Sequence, residues 1–177
     1  MSMVRARWVS PEVLYCEDEI PRFDAADVEA LRGHTAQSPR GRARICSHRG
    51  PSEALHEMFI AMDAGGYVRP HRHLGRAESF HVVSGAATII LFEDDGTACA
   101  RFPLGDLASG RPFYFRLDRP VFHSLVVEAA PFVFHETTTG PFDPATSQGA
   151  PWAPEDREVV AGRQFLAAAL QQLEEMA

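Results

Sequence analysis

The stretch that most limits how this chain can fold is Gly65 to Gly85, GGYVRPHRHLGRAESFHVVSG. His71 and His73 lie two apart in an extended run. Residues i and i+2 of a strand share a face, about 7 Å apart. Two imidazoles so placed can converge on one ion, each sitting roughly 2 Å from it. Five residues beyond His73 is Glu78, a hard oxygen donor entering the apolar run SFHVV. Gly65 opens the stretch and Gly85 closes it, and glycine suits the tight turns that bound short strands. The alternative is that His71 and His73 are ordinary polar strand residues beside Pro70. That would leave the carboxylate and both glycines as coincidence.

Glycine, five residues, His-x-His, four residues, Glu, six residues, glycine resembles the first motif of the cupin superfamily at every position. A second cupin motif usually supplies one more histidine after a Pro-x-Gly turn. Here YFRLDRPVFHSLVVE offers His123, with Asp118 and Pro120 where that turn would carry proline and glycine, and Val127 where an asparagine often ends the motif. His123 is therefore a candidate fourth ligand, with a histidine at the core edge as the alternative. Three imidazoles and one carboxylate suit a divalent transition ion, Zn, Fe, Ni, Mn or Cu, and the donor types do not choose among them.

From about Arg42 the chain turns to β. Candidate strands are 43–48, 55–63, 66–73, 77–84, 87–93, 97–103, 112–117, 121–128 and 131–137. Short strands at this spacing, broken by Gly, Pro or Asp, predict a sandwich or barrel. Asp95-Gly96 marks a hairpin. Residues 141–154 contain four prolines and little periodicity, so they should run over the surface. Before the β region, ARWVS and EVLYC each fit a short strand. Asp24 with Asp27 predicts a capped helix over 25–32, stopped by Gly33. Pro154 to Met176 reads as a helix with Val159, Gly162, Leu166, Leu170 and Leu173 on one stripe. The expected fold is all-β: a cupin double-stranded β-helix, or jelly-roll barrel, over 42–154. An N-terminal extension with a short helix precedes it (1–41), and a C-terminal helix follows (155–177).

Parity predicts what else lines the pocket. Tyr67, Arg69, His71 and His73 share a face if the strand runs regularly through Pro70. Arg69 would then be a substrate anchor, or else a structural ion pair with Glu57 or Glu136. Arg44, Cys46 and His48 share a face of their own, and the sequence does not say whether it borders the same cavity; Arg44 and Tyr67 join Arg69 as candidate substrate-binding residues. Glu136 shares parity with Phe132 and Phe134. A carboxylate on that apolar face is costly unless paired, so it is an arginine's partner or a general acid/base with a raised pKa. His81 should face away from the ligands, His34 suits a helix end, and His48, His56 and His135 stay undecided.

The 177 residues fit one domain with a full core, and 45% hydrophobic content predicts a packed globule. A net charge of −7 argues against a nucleic-acid surface. Three cysteines without paired spacing argue against a disulfide framework. No run resembles a signal peptide or a membrane span, so the expected setting is soluble and cytoplasmic.

The chain also resembles the WbuC-type cupin metalloproteins of bacterial polysaccharide (O-antigen) gene sets. The resemblance lies in SPRGRARICSH, HEMFIAM, GGYVRPHRH, ESFHVVSG, LFEDDG, VFHETTTGPFDP and APWAPE. It implies a small β-barrel with a bound divalent metal, and His71, His73, Glu78 and His123 fit the ligand positions. By analogy with cupins at large it also implies a homodimer. Three functions are then open: an isomerase or epimerase acting on a small polar or anionic molecule such as a sugar or nucleotide sugar, a metal-dependent dioxygenase, and a metal-dependent binding module without turnover.

Overall fold

Two long bent strands organise the molecule, and the computed structural model describes residues 4–176. In chain order the elements are β1 (Ala6–Ser10), β2 (Val13–Cys16), α1 (Ala25–Thr35), β3 (Arg42–Cys46), β4 (Leu55–Met62), β5 (His71–His73), β6 (Glu78–Phe92), β7 (Ala98–Gly105), β8 (Tyr114–Leu117), β9 (Phe122–Thr139), β10 (Ser147–Gly149) and α2 (Val159–Glu175). The expected strands 77–84 and 87–93 are the two halves of β6, and 121–128 with 131–137 are the two halves of β9. Both strands bend through register shifts near Gly85 and Ala129. One wall runs β1-β2-β3-β4, then the second half of β9, the first half of β6, and β8. The facing wall runs β7, the second half of β6, the first half of β9, β5 and β10. This is the expected all-β barrel with a helix near each end.

Alternation along the strands explains the three apolar clusters. Ile89, Leu91, Phe132, Phe134, Met58 and Ile60 point into the barrel. Their neighbours Ile90 and Phe92 point outward under α2, and Ala61 and Val133 point outward under α1. Both faces are covered, so TIILF reads as a continuous apolar run rather than an alternating one. The barrel is therefore roofed on each wall by a helix that the β pattern alone did not require.

Asp24 accepts from the backbone of Ala26 and Asp27, and Asp27 returns a bond to Asp24 N, which closes the expected capping box. The helix continues past Gly33 to Thr35, because Leu31 is buried and the Thr35 hydroxyl reaches Asp63 at 2.6 Å. Helix α2 begins at Val159 rather than Pro154, since Pro154 to Asp156 are held by other groups described below. It seats on the wall at Gly162, where an added Cβ would lie 2.4 Å from the ring of the fully buried Tyr67. Gly162→Ala gains about 1 kcal/mol of helix propensity. The Tyr67 ring is fixed by its hydroxyl bond to Pro154 O at 2.8 Å and cannot yield. A net loss of about 1–2 kcal/mol in chemical denaturation is the expected result. No helix among the described residues is long and apolar enough to cross a membrane.

Candidate metal centre

His71 and His73 come from β5, Glu78 opens β6 and His123 lies near the start of β9. His71 and His123 are paired residues on neighbouring strands. Nitrogens of His71, His73 and His123 all lie within 4.8 Å of one another. Glu78 closes the group: its Oε1 is 2.7 Å from His123 Nε2 and its Oε2 is 3.5 Å from His73 Nε2. The spacing in the sequence places these donors together because β5 and the head of β6 flank the same end of the cavity.

Each ring is oriented from behind. His71 Nδ1 lies 2.9 Å from Arg69 O, His123 Nδ1 3.0 Å from Val121 O, and His73 Nδ1 3.0 Å from Ser147 Oγ. A carbonyl accepts only, so Nδ1–H is the donor in His71 and His123. Their Nε2 lone pairs then face the cluster. His123 Nε2 and Glu78 Oε1 are buried atoms without a hydrogen-bond partner. A bare imidazole nitrogen facing a carboxylate oxygen is satisfied by a proton or by a cation, and the four-donor set fits a divalent transition ion. Burial and the neighbouring His123 pull the His71 imidazolium down to about 3, which keeps that ring neutral and free to donate its lone pair. Burial alone would raise Glu78, but His123 and His73 hold it well below the usual carboxylate range.

The cluster sits in a cavity of about 570 Å³ inside the barrel. Register places its far wall in rows across β6, β9, β4 and β3. Glu78, Thr138 and His56 form one row. Phe80, Glu136, Met58 and Cys46 form the next, and Phe134, Ile60 and Arg44 a third. All of these line the cavity. Glu136 is pushed up to about 7 by burial, then by the charge of Glu78, with Arg44 opposing. Burial pushes the Cys46 thiol up to about 11, so it stays protonated and is a poor nucleophile.

Arg44, Arg69 and Glu136 are thus brought to the cavity, but Tyr67 is not. Only His71–His73 is strand, so residues 67–70 do not obey strand parity. Tyr67 instead packs under α2. Arg69 lines the cavity, yet its guanidinium is engaged elsewhere. Nη2 donates to Ala150 O at 2.7 Å and Nη1 pairs with Glu155. Its carboxylate partner is therefore Glu155, not Glu57 or Glu136. His48 and His56, undecided from sequence, are buried cavity residues whose rings stack 4.2 Å apart. His81 is exposed and outside the cavity, as parity required. His34 lies in the last turn of α1 with its ring edge-on to Trp8. His135 reaches Glu57 at 3.9 Å. Two contributors escaped the sequence altogether. One is Ser147, on the short strand β10; the other is Arg76, in the turn just before β6.

A domain of unknown function, DUF6016, matches residues 23–104, a little under half of the chain. No curated protein sequence matches. Among solved structures, protein SO0799 from Shewanella oneidensis is similar with a TM-score of 0.53 at 16% identity, covering 74% of this chain and 85% of that one. CapF, crystallised with the inhibitor 3-isopropenyl-tropolone, is similar with a TM-score of 0.52 at 15% identity over 63% of this chain and 32% of that one. A variant of Bacillus subtilis oxalate decarboxylase gives 0.42 at 17% identity over 55% of this chain and 24% of that one. This chain thus spans about a third of CapF and a quarter of the decarboxylase. The neighbours are cupin-fold proteins, and the chain has a cupin barrel with a candidate metal-binding histidine cluster.

Proposed function

We propose that this cupin holds one divalent transition ion on His71, His73, Glu78 and His123 and acts on a small polar or anionic molecule of the sugar or nucleotide-sugar class. The observation that carries this is the oriented donor set, with Glu78 and His123 buried and His71 and His73 half-buried, at one end of a cavity large enough for such a molecule. The WbuC-type resemblance supplies the polysaccharide setting, and an isomerisation or epimerisation fits it best. The expected homodimer belongs to the same reading and is tested by light scattering.

The bound ion would supply Lewis acidity toward an oxygen of the ligand. The chain's own residues do the rest. Ser147 and the carbonyls of Arg69 and Val121 hold the rings in place. Glu136, with a carboxyl that exchanges its proton near neutral pH, is suited to take a proton from the ligand and return it. Glu136→Gln should leave metal content intact and lower turnover by about 100-fold or more.

Incubating metal-loaded protein with sugars and nucleotide sugars, followed by NMR, tests the function. A new isomer that has exchanged a hydrogen with solvent supports it. Oxygen consumption would replace it with a dioxygenase, and thermal stabilisation without product would replace it with a binding module.

A further inference from the structure

Five arginines line the cavity: Arg40, Arg42, Arg69, Arg44 and Arg76. The first three are neutralised. Arg40 pairs with Glu12 and Asp156, Arg42 approaches the same two carboxylates, and Arg69 pairs with Glu155. Among the described residues, Arg44 and Arg76 have no carboxylate within ion-pair distance.

These two cations bear on one place. Arg44 approaches from β3 and Arg76 from the turn between β5 and β6. The charge of each stabilises the ionised form of Glu136, which lies between those elements on β9. Arg76 is fixed in position: Nε donates to Thr139 O at 2.8 Å, Nη2 donates to Thr138 Oγ1 at 3.3 Å, and the guanidinium lies 5.6 Å from the centre of the Phe142 ring. Its Nη1 makes no hydrogen bond within the described chain. Both arginines favour the ionised form of Glu136, but burial raises its pKa to about 7, so near neutral pH it offsets only part of their combined charge. His56 borders the same wall with a buried Nε2 that has no partner. A chain of net charge −7 thus turns a local excess of guanidinium toward its cavity. Two guanidinium groups without carboxylate partners on the lining of one cavity, Arg76 half-buried and Arg44 exposed, can receive an oxyanion.

We propose that Arg44 and Arg76 form the anchor for a carboxylate or phosphate group of the ligand, a subsite separate from the histidine cluster and distinct from Arg69. The ligand is therefore an acid small enough for the cavity, bearing its anionic group where Arg44 and Arg76 can both reach it. This rests on the cavity being the ligand site.

Protein with its measured metal content is titrated calorimetrically at low ionic strength with glucose, glucuronate, glucose 1-phosphate and inorganic phosphate. At least one anion should bind and glucose should not. A preference for glucuronate identifies a carboxylate, and a preference for the phosphates identifies a phosphate monoester. Arg44→Gln and Arg76→Gln should each weaken the anion by about ten-fold or more without loss of metal. Arg116→Gln, at an exposed arginine outside the cavity, should change nothing. The anchor is overturned if no anion binds, if glucose binds as well as the acids, or if the Arg44→Gln/Arg76→Gln double variant binds like the parent. Metal-bearing protein that fails in these ways refutes the anchor alone. Protein without metal that still selects acids through both arginines refutes the metal centre and keeps the anchor.

Discussion

His71→Ala and His123→Ala should each yield a folded barrel that no longer holds a stoichiometric metal ion. Both rings are fixed through Nδ1 to backbone carbonyls, so no rotation of a neighbour replaces a lost Nε2. Removing a residue that only orients a ligand costs roughly 10–100-fold in affinity. Loss of a ligand itself should exceed that, and Ser147→Ala, which touches only His73 Nδ1, should fall within it. The barrel should survive because its packing lies elsewhere, in Ile89, Leu91, Phe132 and their neighbours. Thermal unfolding supplies the second readout. An ion at 100 times its Kd stabilises the parent by about 2.7 kcal/mol, so a chelator should lower its Tm and leave that of either variant unmoved. His81→Ala, at an exposed residue of the same motif stretch, is the control. Full metal content in His71→Ala or His123→Ala would remove both from the ligand set.

The approach of His71 and His73 to one another was legible because it depends on local spacing. His71 and His73 share a face by strand geometry, and Gly65 and Gly85 bound the stretch. The inward position of Glu136 was legible by parity, since the second half of β9 is regular where it lines the cavity, whereas parity left open which cavity Arg44 would face. Parity failed for Tyr67 because the strand is only three residues long and the chain before it is irregular. It also failed to predict the partner of Arg69. That partner, Glu155, lies 86 residues away in a segment placed by the docking of α2, and nothing local to YVRPHRH encodes it.

Other misses have the same origin. SQG has no alternation to mark it, yet it forms β10 because the free edge of β5 needs hydrogen-bond partners. The residues 141–154, expected to be surface loop, therefore contribute Ser147 behind the ring of His73. The four strands that proved to be two were separated on the strength of Gly85 and the Ala129–Pro131 region. Those breakers mark a corner, where a strand passes from one wall to the other without ending.

That corner makes Gly85→Ala a strongly damaging single-methyl change, because a strained backbone and a backbone clash coincide there. Gly85 has φ +79, where an ordinary residue is strained by roughly 1–2 kcal/mol. Its added Cβ would also lie 2.5 Å from Ala129 O, 2.7 Å from Pro131 O and 3.1 Å from Phe132 Cα. All three are backbone atoms of β9, so relief requires moving a strand rather than a side chain. Asp106 further fixes the spot, accepting from Gly85 N and donating its own N–H to Gly85 O, each at 3.1 Å. Overpacking of this kind adds about 1–3 kcal/mol, for a total near 3 kcal/mol or more from a domain of ordinary stability. Gly75→Ala separates the two causes. Gly75 has φ +69 but nothing within 4 Å of the added Cβ, so it should show the conformational penalty alone. The effect should reach the site as well, because the corner sets how the head of β6, with Glu78, lies relative to its tail, where Leu91 pairs with His123. Gly85→Ala should then lose metal affinity even where it still folds, while Gly75→Ala keeps it. Equal losses in denaturation and equal metal content for the two variants would show that the close crossing of β6 and β9 is not what fixes the corner.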